Sequence, residues 1–325
     1  MLPMEFILYR LCGECVTDHT MAAGTMLYDL ERRAWSPALL NAAQIKAQKL
    51  PEIGLAGETA GRILPETARE LGLREDTVIA IGGQDQKCAA LGAGLAPGVA
   101  TASLGTACSI SVSMRSLTLD PEMRIPCFSY LLDRQWVQEG LLNTAAACYS
   151  WLRDNFAAGK TFEELNRLAA EAPAPCPTLF FPNLAGGSSP YWGTPSGVFS
   201  GMSLHTTLGH LARGVLEGVA YGIRENLEAM RCAAPDIREL RVFGGGSKSD
   251  LWCQIIADIT DLPVVRLVSA ETALMGAAML ACKAVEGEMP DPLPPEKTFA
   301  PNAPLAAAYD AAFAQYEKTR EAYFA

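Results

Sequence analysis

Hydrophobic positions along the chain recur with two periods, one typical of helices and one of strands. Apolar residues at helical spacing fill residues 4–12, and Gly13 ends the run. The β-branched stretch TVIAIGG predicts a buried strand that feeds a glycine turn, and QKCAALGAG directly after it predicts a short helix. Two strand-like runs within residues 98–114 flank Leu104, Gly105 and Thr106, which is the pattern of a hairpin.

The rest of the pattern continues this alternation of helices and strands. Ser36 and Pro37 predict the N-cap and the first residue of a helix. The stretch TLFFP predicts a strand, and ETALMGAAMLACKAV predicts a buried helix rich in small residues. Further helices are predicted at about 143–154, 161–171, 206–230 and 305–324, and a strand, a glycine loop, a helix and a strand follow one another within 240–267. The alternation predicts an α/β fold.

Composition limits the partners of the protein. The chain has 325 residues, 50% of them hydrophobic, which is enough for two domains with separate cores. The net charge of −10 argues against a strong basic patch and so against nucleic acid as the main partner, but it allows a local pocket for a small anion. The uncharged segment Cys88–Met114 is rich in Gly, Ser and Thr and contains Pro97, so buried strands and turns are favoured over a membrane span.

Ten cysteines are scattered along the chain without a repeated spacing. The start of the chain has no basic region before its apolar run and no small-residue cleavage site, so we expect reduced thiols in the cytoplasm. Cys12 and Cys15 form a lone CxxC, for which small core or helix-end residues are the favoured interpretation.

The stretch IGGQDQKCAALGAG raises the first question of chemistry. Asp85 and one lysine, Lys87, are the only charged residues in this stretch, and the others are glycine, alanine and further uncharged residues. A carboxylate in such a run needs a partner, a ligand or a function. From the residues alone, the N-cap of a helix over residues 86–93 and a proton acceptor are equally good explanations of Asp85.

Three glycine-bearing turns follow predicted strands, in the stretches GGQD, SLGTA and FGGGSKSD. Glycine lets backbone N–H groups approach an oxyanion closely, and the start of a helix adds its positive end. One such turn is weak evidence, whereas three of them favour a phosphate-binding protein. The patterns GxxxxGK[ST] and GxGxxG are absent, which disfavours a P-loop or a Rossmann dinucleotide site.

The order of these stretches resembles the FGGY family of carbohydrate kinases, and most of all its xylulokinase-like branch. Beside the three turns, the resemblance rests on VTDHTMAAGTMLYDLERRAW, FPNLAGGSSPYWGTPSGVFSGM, HLARGVLEGVAYGIRENLEAM and ETALMGAAMLA, and it extends from about residue 5 to about residue 285. It implies an α/β fold of the actin/hexokinase-like (ribonuclease H-like) ATPase kind, with two lobes and a cleft between them.

The resemblance also implies roles in phosphoryl transfer from ATP to a sugar hydroxyl. Asp85 would be the base that accepts the proton of that hydroxyl, and Gln86 would lie with it at the sugar. Gly105 and Thr106 would contact the phosphates of ATP. The implied cofactors are ATP and Mg²⁺, and the sequence assigns no ligands to the metal.

Adenosine would be bordered by the third glycine turn, through Gly245, Gly246 and Ser249. A Cβ at Gly245 is expected to block the nucleotide or to force a residue that needs positive φ. The loop around Pro190 and Trp192 is expected near the nucleotide side of the cleft.

Other polar residues have weaker claims to a function. Asp18 resembles a loop position of the family, and a turn or a cap explains it equally well. The remaining candidates are expected to pair, to cap a helix, to pack or to lie at the surface: Arg213 with Glu217, Lys248, Glu271, His205 and His210.

One motif of the family is absent. Its members begin with a strand and turn of the DxGT kind, which holds phosphate and magnesium, and no DxGT occurs in this sequence. We therefore expect the end of the sugar-binding lobe over residues 1–94, the complete nucleotide-binding lobe over 95–290, and a linker and helix over 291–325. The expected protein is either a fragment or the partner of a separate first-lobe subunit, and the chain alone is expected to be inactive.

The function expected for the complete protein is that of an ATP-dependent kinase acting on a ketose hydroxyl such as one of xylulose. The alternatives are a kinase for another sugar, a polyol or a sugar acid, and a non-catalytic module of the same fold that binds nucleotide or sugar. The expected partner is a small-molecule sugar, with no nucleic acid and no membrane, and a homodimer is left open as the assembly.

Overall fold

The structure is a computed structural model that describes residues 1–324. The helices are α1 (Pro3–Cys12), α2 (His19–Gly24), α3 (Pro37–Ala42), α4 (Pro65–Leu71), α5 (Asp85–Gly92), α6 (Ala146–Phe156), α7 (Phe162–Glu171), α8 (Leu208–Met230), α9 (Asp250–Thr260), α10 (Thr272–Glu286) and α11 (Ala303–Phe324). The strands are β1 (Val16–Asp18), β2 (Tyr28–Asp29), β3 (Ala34–Trp35), β4 (Glu52–Gly54), β5 (Thr59–Arg62), β6 (Val78–Ala80), β7 (Val99–Ser103), β8 (Cys108–Met114), β9 (Cys127–Ser129), β10 (Trp136–Leu142), β11 (Leu179–Phe181), β12 (Val198–Ser200), β13 (Glu239–Phe243), β14 (Val264–Leu267) and β15 (Pro295–Phe299).

A seven-stranded mixed sheet organises residues from 95 onward, with the strand order β15-β14-β13-β7-β8-β10-β9. Strands β7, β13 and β14 are parallel neighbours, and the other pairs in the sheet are antiparallel. Parallel strands end at the same edge of a sheet, where ligands of open α/β sheets bind. The turns after β7 and β13 therefore meet, and the N–H of Gly246 donates to the carbonyl oxygen of Leu104 at 2.8 Å.

The main hydrophobic core lies between this sheet and helices α8, α9 and α11. Helix α8 has a stripe of small and aliphatic residues, and most of its 23 residues are buried. A Cβ on Gly214 or Gly218 would lie 2.6 or 2.1 Å from a carbonyl oxygen of the segment that contains β11, so glycine allows this close approach. Burial of each large side chain, such as Leu216, contributes about 1.5–3 kcal/mol to this packing.

Residues 1–94 form small two-stranded sheets and short helices, and helix α5 attaches them to the rest of the chain. Helix α5 crosses α10 at very close range. A Cβ on Gly276 would lie 2.0 Å from the carbonyl oxygen of Cys88, and a Cβ on Gly92 would lie 2.0 Å from that of Thr272. This crossing fixes α5, from Cys88 to Gly92, against the second half of the molecule.

The structure confirms most of the predicted elements, including the helix predicted at about 305–324, which is α11 and buries Tyr309, Phe313 and Tyr316 in the main core. The linker expected before that helix instead contributes β15, which pairs with β14. Strand β15 has four exposed residues out of five, so it carries no hydrophobic signal. Helix α10 is only partly buried, and strands β9 and β10 were not foreseen.

The expectations for the cysteines and for the uncharged segment agree with the structure. Cys12 is buried at the end of α1, Cys15 is exposed, and the ten cysteines are free thiols. The uncharged segment Cys88–Met114 forms most of α5 and then β7 and β8. Within residues 1–324, no helix is both long enough and apolar enough to span a membrane.

Candidate active site

A cavity of about 410 Å³ lies at the edge of the sheet, between the start of α5, the turns after β7 and β13, and the start of α10. It brings together Asp85, Gln86, Gly105 and Thr106 from the predicted site residues, and Gly244 beside the predicted Gly245. Two strands and two helices that are far apart in sequence thus converge on one space.

Asp85 is the first residue of α5, and its side chain is exposed to the cavity rather than enclosed in the core. The cap of α5 is Gln84, whose side-chain oxygen accepts the N–H of Lys87 at 3.1 Å. Asp85 Oδ1 accepts the N–H of Gln86 at 2.7 Å. The N-cap explanation of Asp85 is therefore wrong, and its carboxylate stays open to a ligand in the first turn of a helix, where negative charge is favoured.

The turn between β7 and β8 presents Gly105 and the exposed Thr106 to the same cavity. The carbonyl oxygens of these two residues are already fixed, because they accept the N–H groups of Ala146 at 2.9 Å and Ala145 at 2.8 Å. A Cβ on Gly105 would meet only the carbonyl oxygen of Ala107, at 3.5 Å. No contact within the protein therefore requires glycine at position 105.

The glycine turn after β13 has a different conformation from the one expected. Gly244, at the cavity, has φ of +92°, whereas Gly245 does not have positive φ. A Cβ on Gly245 would meet nothing within 4 Å, so this exposed residue faces open space. Gly246 packs inward instead, since its Cβ would lie 2.8 Å from the ring of Trp252.

Ser249 is not among the residues that line the cavity. Its hydroxyl caps α9 by accepting the N–H of Trp252 at 3.2 Å, and it also accepts the side-chain amide of Asn166 at 3.0 Å. Only the hydroxyl proton of Ser249 remains for a ligand. The neighbouring Lys248 is exposed, as expected of a solvated side chain.

Sequence reasoning missed Glu139, a carboxylate of β10 that lines the cavity with Asp85. Lys87 of α5 forms an ion pair with Glu139, and its ammonium lies 4.4 Å from the centre of the Phe128 ring. Lys87 is 3% exposed, so this pair fixes the second residue after Asp85 to the central sheet. Glu139 could have been proposed from the sequence, because it is the one charged residue in the strand WVQEGLL.

The loop that contains Pro190 and Trp192 is not brought to this cavity. Ser188 and Ser189 fasten it to β10 and the turn after it, by accepting the N–H groups of Asn143 at 2.9 Å and Leu141 at 2.6 Å. Trp192 donates its ring N–H to the carbonyl oxygen of Arg124 at 2.7 Å. Trp192 lines a separate cavity of about 500 Å³ between this loop, α8 and α11.

The weaker candidates have structural explanations. Arg213 and Glu217 pair within α8 at 2.6 Å, as expected, and both contact the hydroxyl of Tyr309. Glu271 is the N-cap residue of α10 and lines the cavity, although its side chain makes no capping hydrogen bond. His210 contacts the hydroxyl of Thr207 at the start of α8.

Asp18 caps α2 and is 1% exposed. Burial raises the pKa of Asp18 to about 6, against hydrogen bonds from Thr20 and Met21 that lower it.

A protein-made metal cluster is not present in the described part of the chain, where no three His, Cys, Asp or Glu residues lie close enough to hold an ion together. Magnesium in kinases is commonly held by one or two carboxylates together with substrate phosphates. Within residues 1–324, the protein therefore offers no metal site made of three such side chains, and magnesium would be held together with substrate phosphates.

Comparison with known sequences identifies both parts of the chain. A sequence model described as "FGGY family of carbohydrate kinases, C-terminal domain" matches residues 100–285, and the corresponding N-terminal domain model matches residues 1–92. The xylulose kinase of Bacillus subtilis is 30% identical over 284 residues, which cover 86% of this chain and 57% of that protein. The glycerol kinase of Thermococcus kodakarensis is 33% identical over 285 residues, which cover 86% and 56%.

Solved structures give the same result for the fold. A "xyloylose kinase" from Brucella ovis superposes with a TM-score of 0.93 and 32% identity, over 99% of this chain and 68% of that one. The fold is therefore the expected actin/hexokinase-like α/β fold of sugar kinases. The chain spans 57% and 56% of the lengths of the two curated relatives named above.

Proposed function

This chain belongs to the FGGY family of carbohydrate kinases, and on that premise we propose that it serves an ATP-dependent sugar kinase that phosphorylates a hydroxyl of a ketose such as xylulose. The proposal is carried by one observation, the cavity at the sheet edge. In it the open carboxylate of Asp85 faces the same space as the Gly105–Thr106 turn and Gly244. Phosphoryl transfer needs such a proton acceptor beside groups that bind phosphate.

In the proposed reaction, a sugar hydroxyl oxygen attacks the terminal phosphorus of ATP, a new P–O bond forms, and ADP leaves. The Asp85 carboxylate accepts the proton of that hydroxyl. Gln86, the next residue at the cavity, would hydrogen-bond the sugar. The exposed position of Asp85 supports this role, because no protein donor other than the Gln86 N–H takes its lone pairs in the described structure.

The nucleotide would lie along the meeting turns of β7 and β13. Gly105 and Thr106 would bind its phosphates, and Gly245 would border adenosine on the open side of the glycine turn. The open space at Gly245 and the absence of any steric demand at Gly105 support this arrangement, since a bound phosphate or ribose would explain both glycines. Gly246 and Ser249 would shape the turn, with Ser249 offering its one free hydroxyl proton.

A kinase for a polyol is the second candidate. The observation in its favour is the glycerol kinase of Thermococcus kodakarensis, whose identity to this chain slightly exceeds that of the Bacillus subtilis xylulose kinase. The two candidates share the reaction and the base and differ only in the acceptor hydroxyl.

The test is a sugar panel assayed for ADP release and for the phosphorylated product. The panel holds ketoses, aldoses, glycerol and sugar acids. The protein is used as the 325-residue chain and as a chimera in which a DxGT-bearing N-terminal segment of an FGGY kinase precedes it. Phosphorylation of a ketose above all other acceptors by the chimera is the expected result, and preference for glycerol would select the polyol kinase. If ADP binds but no acceptor is phosphorylated in either form, the kinase proposal is overturned in favour of a non-catalytic module.

A further inference from the structure

The carboxylate of Asp18 lies at the end of β1 and makes more contacts than a helix cap requires. Its oxygens accept the N–H of Thr20 at 2.8 Å and the N–H of Met21 at 3.0 Å, which caps the short helix α2. The same carboxylate also accepts the hydroxyl proton of Thr20 at 3.0 Å. This third contact does nothing for the backbone of α2 and instead orients the hydroxyl of Thr20.

Thr20 links this carboxylate to the start of α5. Its hydroxyl oxygen accepts the backbone N–H of Gln84 at 2.9 Å. A hydroxyl has one proton, and because that proton is donated to Asp18, a lone pair is left to face Gln84. Gln84 is the cap of α5 and directly precedes Asp85. Two hydrogen bonds therefore connect the buried carboxylate with the residue next to the proposed base.

The turn before Asp85 also packs directly on this pair. A Cβ on Gly83 would lie 3.2 Å from the hydroxyl of Thr20 and 3.4 Å from Oδ2 of Asp18. On the other side it would lie 2.1 Å from Cδ2 of Leu131. Gly83 is thus enclosed between two parts of the chain, and only a residue without a side chain fits there without a shift of its neighbours.

We propose that Asp18, acting through Thr20, is a positioning residue that fixes the turn from which Asp85 faces the cleft. The inference rests on the proposed function, in which Asp85 accepts the proton of the attacking hydroxyl. A base must reach within about 2.6–3.2 Å of that proton's oxygen, and a misplacement of about 1 Å can cost on the order of a hundredfold in rate.

The environment of Asp18 supports a role beyond capping. Burial raises its pKa to about 6, so ionised Asp18 is held in the core at a cost in stability. Cys88 of α5 and Tyr28 of β2 are the ionisable groups whose own pKa values its charge raises. A serine would cap a short helix without a buried charge. The carboxylate differs from serine in that it accepts two N–H groups and a hydroxyl at once.

The test compares Thr20→Val with Thr20→Ser. Valine keeps the shape of threonine and removes the hydroxyl, whereas serine keeps the hydroxyl. The matched control is Asp29→Asn, because Asp29 also accepts two backbone N–H groups, from Glu31 at 3.0 Å and Arg32 at 2.9 Å, but in an exposed turn. Amide hydrogen exchange of Gln84 is measured in the 325-residue chain. kcat and the Kd for ADP are measured in whichever form of the protein phosphorylates a sugar.

We expect Thr20→Val to raise the exchange rate of the Gln84 amide about fivefold, the factor that corresponds to the loss of about 1 kcal/mol of hydrogen bonding. It should lower kcat about 10- to 100-fold with the Kd for ADP unchanged within about twofold. Thr20→Ser should restore both values, and Asp29→Asn should change neither. Asp18→Asn should lower kcat in the same direction as Thr20→Val.

Three results would overturn the inference, and they are distinguishable. Unchanged exchange at Gln84 in Thr20→Val would show that the hydroxyl holds nothing. Faster exchange with an unchanged kcat would make the contact purely structural. A wild-type protein that phosphorylates no sugar in either form would overturn the proposed function, and the catalytic role of Asp18 with it, whatever the exchange data show.

Discussion

Asp85 keeps an open carboxylate because the neighbouring residue does the capping. Gln84 caps α5, while Asp85 sits in the first turn and faces the cavity. Replacement of Asp85 by asparagine removes the proton acceptor but keeps the size and polarity of the side chain. In a form of the protein that phosphorylates sugar, we expect Asp85→Asn to lower kcat about 100- to 10,000-fold.

Binding and stability distinguish this role from a structural one. The Kd for ADP should stay within about twofold and the melting temperature should hardly change, because asparagine keeps a side-chain oxygen that can accept the N–H of Gln86. Glu271→Gln is the matched control, since it removes a carboxylate from the same cavity without removing the proposed base. A fully active Asp85→Asn enzyme would exclude Asp85 as the base.

Asp18 should make the folding stability depend on pH in a definite direction. Its pKa in the folded protein, about 6, lies above the ordinary value of 3.8. Between these values the unfolded chain loses the proton while the folded protein keeps it, so stability falls as pH rises from about 4 to about 6. The shift corresponds to roughly 3 kcal/mol.

The measurement is urea unfolding of wild-type and Asp18→Asn protein between about pH 4 and 8. Asparagine adds a constant effect of its own at every pH, so only the difference that varies with pH reports the ionisation. The stability of Asp18→Asn relative to wild type should increase as pH rises and level off above about pH 6. A difference that stays flat over this range would contradict the raised pKa of Asp18.

At the scale of elements, the glycine turn after β13 separates two kinds of glycine. Gly244 needs positive φ, whereas Gly245 has ordinary φ and open space around its Cα. We expect Gly245→Leu to leave the melting temperature within about 1 °C, because a Cβ at this exposed position would have nothing within 4 Å. The same variant should weaken ADP binding about tenfold or more, by filling the space proposed for the nucleotide.

Calorimetry with ADP tests this prediction, and Gly72→Leu is a control, because its Cβ also meets nothing within 4 Å, although its φ of +67° adds strain. If Gly245→Leu binds ADP as tightly as wild type, the nucleotide does not pass this turn. A large loss of thermal stability in Gly245→Leu would contradict the open space seen there.

Elements with a strong local pattern could be predicted from the sequence, and those fixed by distant partners could not. Helix α8 and the β7–β8 hairpin have periodic apolar positions or a small-residue turn, and both occur where expected. Strand β10 escaped prediction because Gln138 and Glu139 interrupt its apolar residues. In the folded protein the side-chain N–H of Gln138 donates to the carbonyl oxygen of Thr118 and Glu139 pairs with Lys87, and neither partner can be read from the local sequence.

At the scale of the whole molecule, the sequence predicted several site residues but not the contacts that join distant segments. Motif order identified Asp85, Gly105 and Thr106, which converge on one cavity although they lie on different elements. The sequence could not show that the hydroxyl of Ser249 binds Asn166 outside the cavity, because the two residues are 83 positions apart. Nor could it show the chain of contacts from Asp18 to Gln84, which joins segments 64 residues apart.

The whole chain should bind nucleotide without transferring its phosphate. The turns proposed to hold ADP all lie within residues 104–249, and they follow strands of one sheet that packs on the main hydrophobic core. The sequence contains no DxGT motif, which in the family binds phosphate and magnesium. Electrostatic stabilisation of the transferred group usually contributes more to such catalysis than any other effect, and loss of even one donor typically costs about 100- to 1,000-fold in rate.

We therefore expect the 325-residue chain to bind ADP weakly by calorimetry and to show little or no sugar-dependent ADP release. The chimera that carries a DxGT segment should gain turnover without a large change in the contribution of Gly245 to ADP binding. Robust phosphorylation of any sugar by the 325-residue chain would contradict the prediction, because residues already present would then have to supply what the DxGT motif provides.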